Sequence, residues 1–297
     1  MNIFEFAAIF AAACWALTSI INAGPAAHLG AIAFTRIRMS MVMVMLVGWV
    51  AVTGSWQTIT EDMLWPIVLS GIVGIFLGDS ALFATMNRMG PRRTSILFAT
   101  SAPMAVLLGW LFLGETLTWT EILGVAVVFL GVTLAIIFGK RKAQLHHWET
   151  VKGPLWIGVG VGLIAGLAQA AGSLIAKPVM DAGADAVAVS AIRVTISVCC
   201  FYLALMLPGR TMVAKGKLNA KIIFLMALSG FLAMALGMTL VLFALSGGDV
   251  GIVSTLSGTA PALVLPLIWI HTRERPAAGA WLGAFLVVAG SALIFSA

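Results

Sequence analysis

Few groups in this chain could do chemistry, and they are scattered. Asp79 stands between Gly78 and Ser80, well inside a long apolar run. A charge there costs about 2.5–3.5 kcal/mol on insertion scales, so it needs a reason. It either carries a proton, holds a substrate ammonium or partners an arginine, Arg36 or Arg193. Arg193 lies inside a second apolar run and Arg36 near the start of a third. Either can meet a substrate carboxylate, pack at a helix end or snorkel to headgroups; Arg38 is expected to snorkel. Thr18, Ser19, Thr100, Ser101, Gln169, Ser173, Ser254, Ser257 and Thr259 are small polar groups in apolar surroundings. They bind a polar solute or bond between helices. Trp15, Phe83 and Trp110 form an apolar wall for a side chain, or pack the core. Pro103 and Pro261 each remove a helix hydrogen bond, which suits either a gating kink or a static one. Glu115 and Glu274 precede apolar runs and are expected to cap helices and pair with their dipoles.

Enzyme chemistry has little to work with. His28, His146, His147 and His271 lie at run ends or in loops, and Cys14, Cys199 and Cys200 lie inside apolar runs. The spacing fits no metal-ligand set, no phosphate-cradling loop and no nucleophile–base pair. No catalytic residue, metal or cofactor is expected.

The elements that must position these residues are membrane helices. The chain of 297 residues is 61% hydrophobic and 9% charged, with a mean hydropathy of +1.09. A soluble domain carries about 25% charged residues. Lipid-facing backbone must satisfy its own hydrogen bonds, so helices or closed barrels are the options, and long unbroken apolar runs select helices. At ~20 residues per span, ten runs can be marked. They are 3–22, 31–53, 63–87, 94–113, 117–139, 154–176, 184–207, 222–246, 251–270 and 276–295. The first has no basic leader before it and reads as a permanent helix. Trp49, Trp56, Trp65, Trp119, Trp148, Trp156 and Trp281 lie near run ends, at headgroup level.

The halves resemble each other at an offset of about 159. Leu69-Ser70-Gly71 matches Leu228-Ser229-Gly230, Gly78 matches Gly237, Glu115 matches Glu274, and Gly124 and Gly131 match Gly283 and Gly290. Arg36 resembles Arg193 more loosely. Five spans is an odd number, so the second copy starts on the opposite side of the membrane. The loop charges agree. Glu61 and Asp62 have Arg210, Lys215, Lys217 and Lys221 as counterparts, and Arg88, Arg92 and Arg93 have Asp249. The positive-inside rule puts the basic loops in the cytoplasm and both termini outside. The net charge of +6 is therefore a topology signal, not a nucleic-acid footprint.

Thr100-Ser101-Ala102-Pro103, then Leu113-Gly114-Glu115-Thr116-Leu117-Thr118, then Gly124 and Gly131, resembles the end of an EamA repeat. EamA repeats define a branch of the drug/metabolite transporter superfamily. Pro261, Glu274, Gly283 and Gly290 repeat the pattern, and Trp15 and Arg36 also look like that family. The resemblance implies a ten-helix carrier of small metabolites, often an amino-acid exporter, working by alternating access. It also implies a central cavity lined by spans 1–4 and 6–9. The second half departs at the position of Trp15, where Gln169 or a neighbour stands. The family is expected to keep both termini in the cytoplasm, which the charges oppose.

The expectation is an all-α integral membrane protein with ten transmembrane helices, two inverted five-helix repeats around a central cavity. Residues 1–139 form the first repeat, 140–152 a basic linker and 153–297 the second. The substrate-binding candidates are Trp15, Ser19, Asp79, Phe83, Ser101, Trp110, Gln169, Ser173, Arg193, Ser254 and Ser257, with Pro103 and Pro261 as kinks. The function expected is export of amino acids or similar small metabolites across the cell inner membrane; the rival is an integral-membrane enzyme acting on lipid or isoprenoid substrates. The partners expected are a small molecule and the lipid bilayer, and the sequence leaves the oligomeric state open.

Overall fold

The computed structural model describes residues 2–138, 153–206, 213–260, 262–263, 266–267 and 277–295. The expected linker at 140–152, Trp148, Pro261 and Glu274 lie outside them. The described residues are helical, with no strand among them. In the first half, α1 (Ile3–Leu29) and α2 (Ala31–Thr53) are followed by α3 (Glu61–Ser70). A π-helical segment, Gly71–Leu77, leads from α3 into α4 (Gly78–Ala99). Then come α5 (Ser101–Leu108), a second π segment (Gly109–Leu113) and α6 (Trp119–Phe138). The second half repeats the order with α7 (Leu155–Asp181), α8 (Ala186–Leu205) and α9 (Ala220–Gly230). A π segment, Phe231–Met238, leads into α10 (Thr239–Leu245), followed by α11 (Val250–Ser257) and α12 (Ala278–Phe295). Five helical stretches are long and apolar enough to cross a membrane: Ile32–Thr53, Glu61–Met86, Leu155–Asp181, Ala186–Leu205 and Ala220–Leu245. Four shorter apolar helices accompany them among the described residues.

Local signals set the helix ends. Asn2 and Glu5 form a capping box at the start of α1. Asp185 caps α8 by accepting from Val187 and Ala188 N–H, and Asn219 caps α9 by accepting from Ile222 N–H. Gly54 and Gly114 take left-handed backbone where α2 and the π segment 109–113 end, at φ 71° and 68°. Thr118 and Glu121 cap α6 reciprocally. Glu115, expected to serve the helix it precedes, serves another. Its carboxylate accepts from Val250 N–H at 2.8 Å and so caps α11, in the other half.

The two halves carry the same irregularity in the same place. The first π segment begins at the glycine of the Ser70-Gly71 step and its counterpart directly after the Ser229-Gly230 step. Both serines donate to the carbonyl three residues back, Ile67 and Met226. The first π segment packs against α7 and α8, and the second against α1 and α2, so each bulged helix is held by the other half. Equivalent helices run in opposite directions. α1 ends at His28 beside Lys217, whereas α7 ends at Asp181 beside Asp249. One end of the bundle thus gathers Glu115, Glu121, Asp181, Asp185 and Asp249 together with the cation Lys177, ion-paired with Asp181, and the other Lys215 and Lys217.

Small residues set the spacing. α6 and α12 cross so closely that a Cβ on Gly124 would lie 2.8 Å from Gly290 O, and one on Gly131 would lie 2.7 Å from Gly283 O. The repeat exchanges Gly124 with Gly283 and Gly131 with Gly290, so the two contacts map onto each other, as a two-fold between the halves requires. On α7, Gly158, Gly162, Gly166 and Gly172 form one buried face toward α4, α5 and the first π segment. Gly131→Leu must push backbone apart, since the atoms it meets are main-chain. It is expected to cost about 2 kcal/mol or more, read as a lower unfolding temperature in detergent. Gly160→Ala, with nothing within 4 Å of the new methyl, is expected to leave that temperature unchanged or raise it.

Candidate functional site

The site is built where each π segment packs against the first two helices of the other half. A π bulge frees a backbone carbonyl from the helical ladder, and in lipid that oxygen needs another donor. Both donors come from the opposite half. Gly71 O lies 3.0 Å from Ser197 Oγ of α8, whose hydroxyl it shares with Arg193 O at 2.7 Å, and Ala233 O accepts from Trp15 Nε1 of α1 at 2.7 Å. Trp15, expected as an apolar wall, therefore has its indole N–H committed to the backbone, while its ring packs against the cores on both sides.

The arginines sort differently from the expectation. A Cβ on Gly71 would lie 2.9 Å from Arg193 O, and one on Gly230 would lie 3.3 Å from Arg38 Cγ. Gly71 and Gly230 are repeat equivalents, so Arg38, not Arg36, is the counterpart of Arg193. The first residues of α2 and α8, Ala31 and Ala186, differ by 155, and the same offset carries Arg38 onto Arg193. Arg38 does not snorkel. It is buried, its guanidinium sits 5.3 Å from the centre of the Phe34 ring, and it acts electrostatically on Asp79. Arg36 lies at the α2–α8 contact, 5.5 Å from the centre of the Tyr202 ring. Arg38 and Asp79 influence each other through space without forming an ion pair within 4 Å, and Arg38 Nε, like Arg193 Nε, has no hydrogen-bond partner.

Arg193 is 2% exposed. Its Nη1 donates to Met238 Sδ at 3.7 Å, a weak acceptor, and its Nε has no partner. Its guanidinium lies against the Gly74–Gly172 crossing, where a Cβ on Gly74 would stand 3.1 Å from Nη2. Trp15 borders Gly237, the neighbour of Met238, and Gln169 borders Gly78, the neighbour of Asp79. One turn from Arg193 on α8, Ser190 accepts from Thr239 Oγ at 3.0 Å. The structure therefore places Arg193 with Met238 and, one turn away, Ser190 and Thr239, with Trp15 beside Gly237 and the Gln169 backbone beside Gly78. Ser173 is buried on α7, one residue beyond Gly172.

Other candidates lie elsewhere. Ser101 and Pro103 are on α5, and Ser254 and Ser257 on α11, two helices that pack on each other and on α7. The Ser257 hydroxyl donates to its own helix at Ser254 O. Trp110 is 60% exposed on the outer surface, because the π segment turns it away from the bundle; it is not part of the wall. Ser19 and Phe83 stand on α1 and α4, and their side chains lie outside the description. Sequence reasoning missed Arg38, Met238, Ser190 and Thr239. The signal was the repeat itself, read with a shorter offset for the early spans than for the later ones.

The chain matches the EamA-like transporter family over residues 2–137 and 156–296. It belongs to that family. An uncharacterized transporter in the cobO 3'region of Sinorhizobium sp is 30% identical over 136 residues, which is 45% of this chain and 96% of that protein. A protein of known crystal structure, 15% identical, superimposes with a TM-score of 0.78 over 98% of this chain and 95% of its own length. The second likeness is one of fold. The EamA-like chain is accordingly a multi-pass membrane transporter rather than an enzyme. Among its described residues no group of His, Cys, Asp and Glu could hold a metal ion.

Two outcomes follow from these placements. Arg38→Met and Asp79→Asn each strip a buried group of its counter-charge, and both are expected to lower the unfolding temperature. The double variant is expected to lose less than the two single losses summed, with a coupling of about 1 kcal/mol or more; additive losses would show that the two do not depend on each other. The second outcome concerns Glu115. Burial pushes its carboxyl above the ordinary range, the Val250 N–H opposes this, and the Asp249 charge adds to it. A carboxyl raised on folding binds its proton more tightly in the folded state. Its favourable contribution is therefore lost as pH climbs from the ordinary carboxylate value through the raised one. Glu115→Gln keeps an acceptor for Val250 and removes the charge, so the fall in unfolding temperature across that window should flatten. Glu115→Ala should cost about 1 kcal/mol as a lost cap.

Proposed function

We propose that this EamA-like chain is a ten-span carrier of the cell inner membrane, two inverted five-helix repeats of residues 1–139 and 153–297. It exports amino acids or similar small amphipathic metabolites by alternating access. One observation carries the reading: a buried polar site at the crossing of two equivalent, oppositely directed halves, each half's bulged helix gripped by the other. Rocking one half against the other alters both grips together, and the site between them then faces one compartment or the other. Trp15, Gln169, Ser173 and Arg193 contact the solute; Asp79 neutralises Arg38 at its edge. The basic end faces the cytoplasm and the acidic end faces out, which puts both termini outside.

The test is efflux from proteoliposomes loaded in turn with labelled neutral, aromatic and charged amino acids. Saturable efflux, competed by unlabelled solute of the same class and abolished in Gly131→Leu only to the extent that folding is lost, is the expected result. Folded protein that moves no amino acid above empty liposomes would redirect the search to drugs, nucleosides and lipids. Repeating the assay with a pH gradient reads whether flux is proton-coupled, and Asp79→Asn should leave any such coupling intact because Asp79 answers to Arg38.

A further inference from the structure

The two halves place an arginine at equivalent positions but treat it differently. The offset of 159 that carries Ser70 onto Ser229 also carries Asp79 onto Met238. In the first half, Arg38 has Asp79 acting on it. In the second, the corresponding Arg193 meets the Met238 thioether. No ion pair among the described residues involves Arg193, which is 2% exposed. A guanidinium in that position is costly unless an anion comes to it. Its planar fork of N–H groups matches a carboxylate better than any other small anion a metabolite commonly carries, apart from phosphate.

A groove of about 430 Å³ lies one helical turn away, with neither Arg193 nor Met238 in its lining. The groove opens beside Gly183, Asp185 and Ser246, between α7, α8 and α10. Its walls are mostly apolar, including Met180, Val187, Leu236, Leu240 and Phe243, and its deepest polar group toward Arg193 is Thr239. Thr239 bonds Ser190, which stands three residues before Arg193, about 4.5 Å along the helix. The Asp185 carboxylate near the mouth is spent on the α8 cap and does not compete for the guanidinium.

We propose that Arg193 is the carboxylate receptor of the transported solute and that Met238 determines specificity by leaving the counter-charge position empty. The solute is a small carboxylate whose apolar substituent lies toward the groove, a class that includes the branched and aromatic amino acids. Arg38 with Asp79 is the internally neutralised twin of this site and binds nothing. The inference rests on the carrier reading above and narrows it.

The experiment has a binding arm and a flux arm, both on the full chain. In detergent, unfolding temperature is followed with leucine, phenylalanine, their deaminated acids, their decarboxylated amines and inorganic phosphate. The acids and amino acids should stabilise the protein, while the amines should need at least tenfold higher concentration for the same effect. Phosphate stabilising at lower concentration than the carboxylates would overturn the assignment in favour of a phosphorylated solute. In proteoliposomes, Met238→Glu supplies the missing counter-charge. It should keep or raise the unfolding temperature yet cut carboxylate efflux at least tenfold, and Met238→Leu should retain efflux. Arg193→Lys, which keeps the charge and loses the fork, should fall between. Amines competing as well as acids, or Met238→Glu transporting carboxylates at the wild-type rate, would overturn the inference while leaving a carrier in place. Absence of flux for every solute would instead remove the carrier reading, and the binding arm would still decide whether Arg193 holds a carboxylate.

Discussion

Every backbone carbonyl inside a bilayer must find a donor, and this fold breaks that rule locally at two points and repairs it across the halves. The Ser-Gly steps at Ser70-Gly71 and Ser229-Gly230 open each third helix into a π segment. Within these segments Gly71 O and Ala233 O are met by Ser197 and Trp15, each from the opposite half. These two hydrogen bonds cannot be made within a half. They tie the halves together at the place where the polar side chains collect, so the packing constraint and the site have one origin.

Glycine makes the repair possible. At Gly71 and Gly74 the neighbouring helices come so close that a methyl group would strike main chain, Arg193 O in one case and Gly172 Cα in the other. That closeness brings the Arg193 guanidinium to the centre of the bundle, with Met238 beneath it. By contrast, the α6–α12 crossing uses its glycines for close packing of main chain on main chain. The same residue type thus serves a site in one place and a seam in another, according to what the neighbouring helix carries.

Symmetry makes the asymmetry informative. Two equivalent arginines in one low-dielectric bundle would repel and each would need compensation. The first half supplies Asp79, and the second supplies a sulfur. The positions of Arg38 and Arg193 correspond but their neighbours differ, Asp79 and the Phe34 ring in one case and Met238 in the other, and a carrier that binds an anion needs one of the two cations left available.

Much of this was legible in the sequence. Apolar run length and the scarcity of charge dictate helices in lipid, and the Ser-Gly, Glu and Gly landmarks dictate a duplicated plan, because spacing along one helix is a local property. Asp79 and Arg193 declared themselves by the cost of charge in an apolar run. The tertiary structure alone decided who meets whom. Arg38 read as a headgroup contact, because position along a helix says nothing of which face is buried. Glu115 read as the cap of its own helix, because the N-terminus it reaches lies 135 residues away. Trp110 read as lining, because its outward turn depends on a π segment that no residue pattern announced. Met238 read as nothing at all, since an uncharged side chain becomes meaningful only when folding sets it against a cation whose twin has an acid.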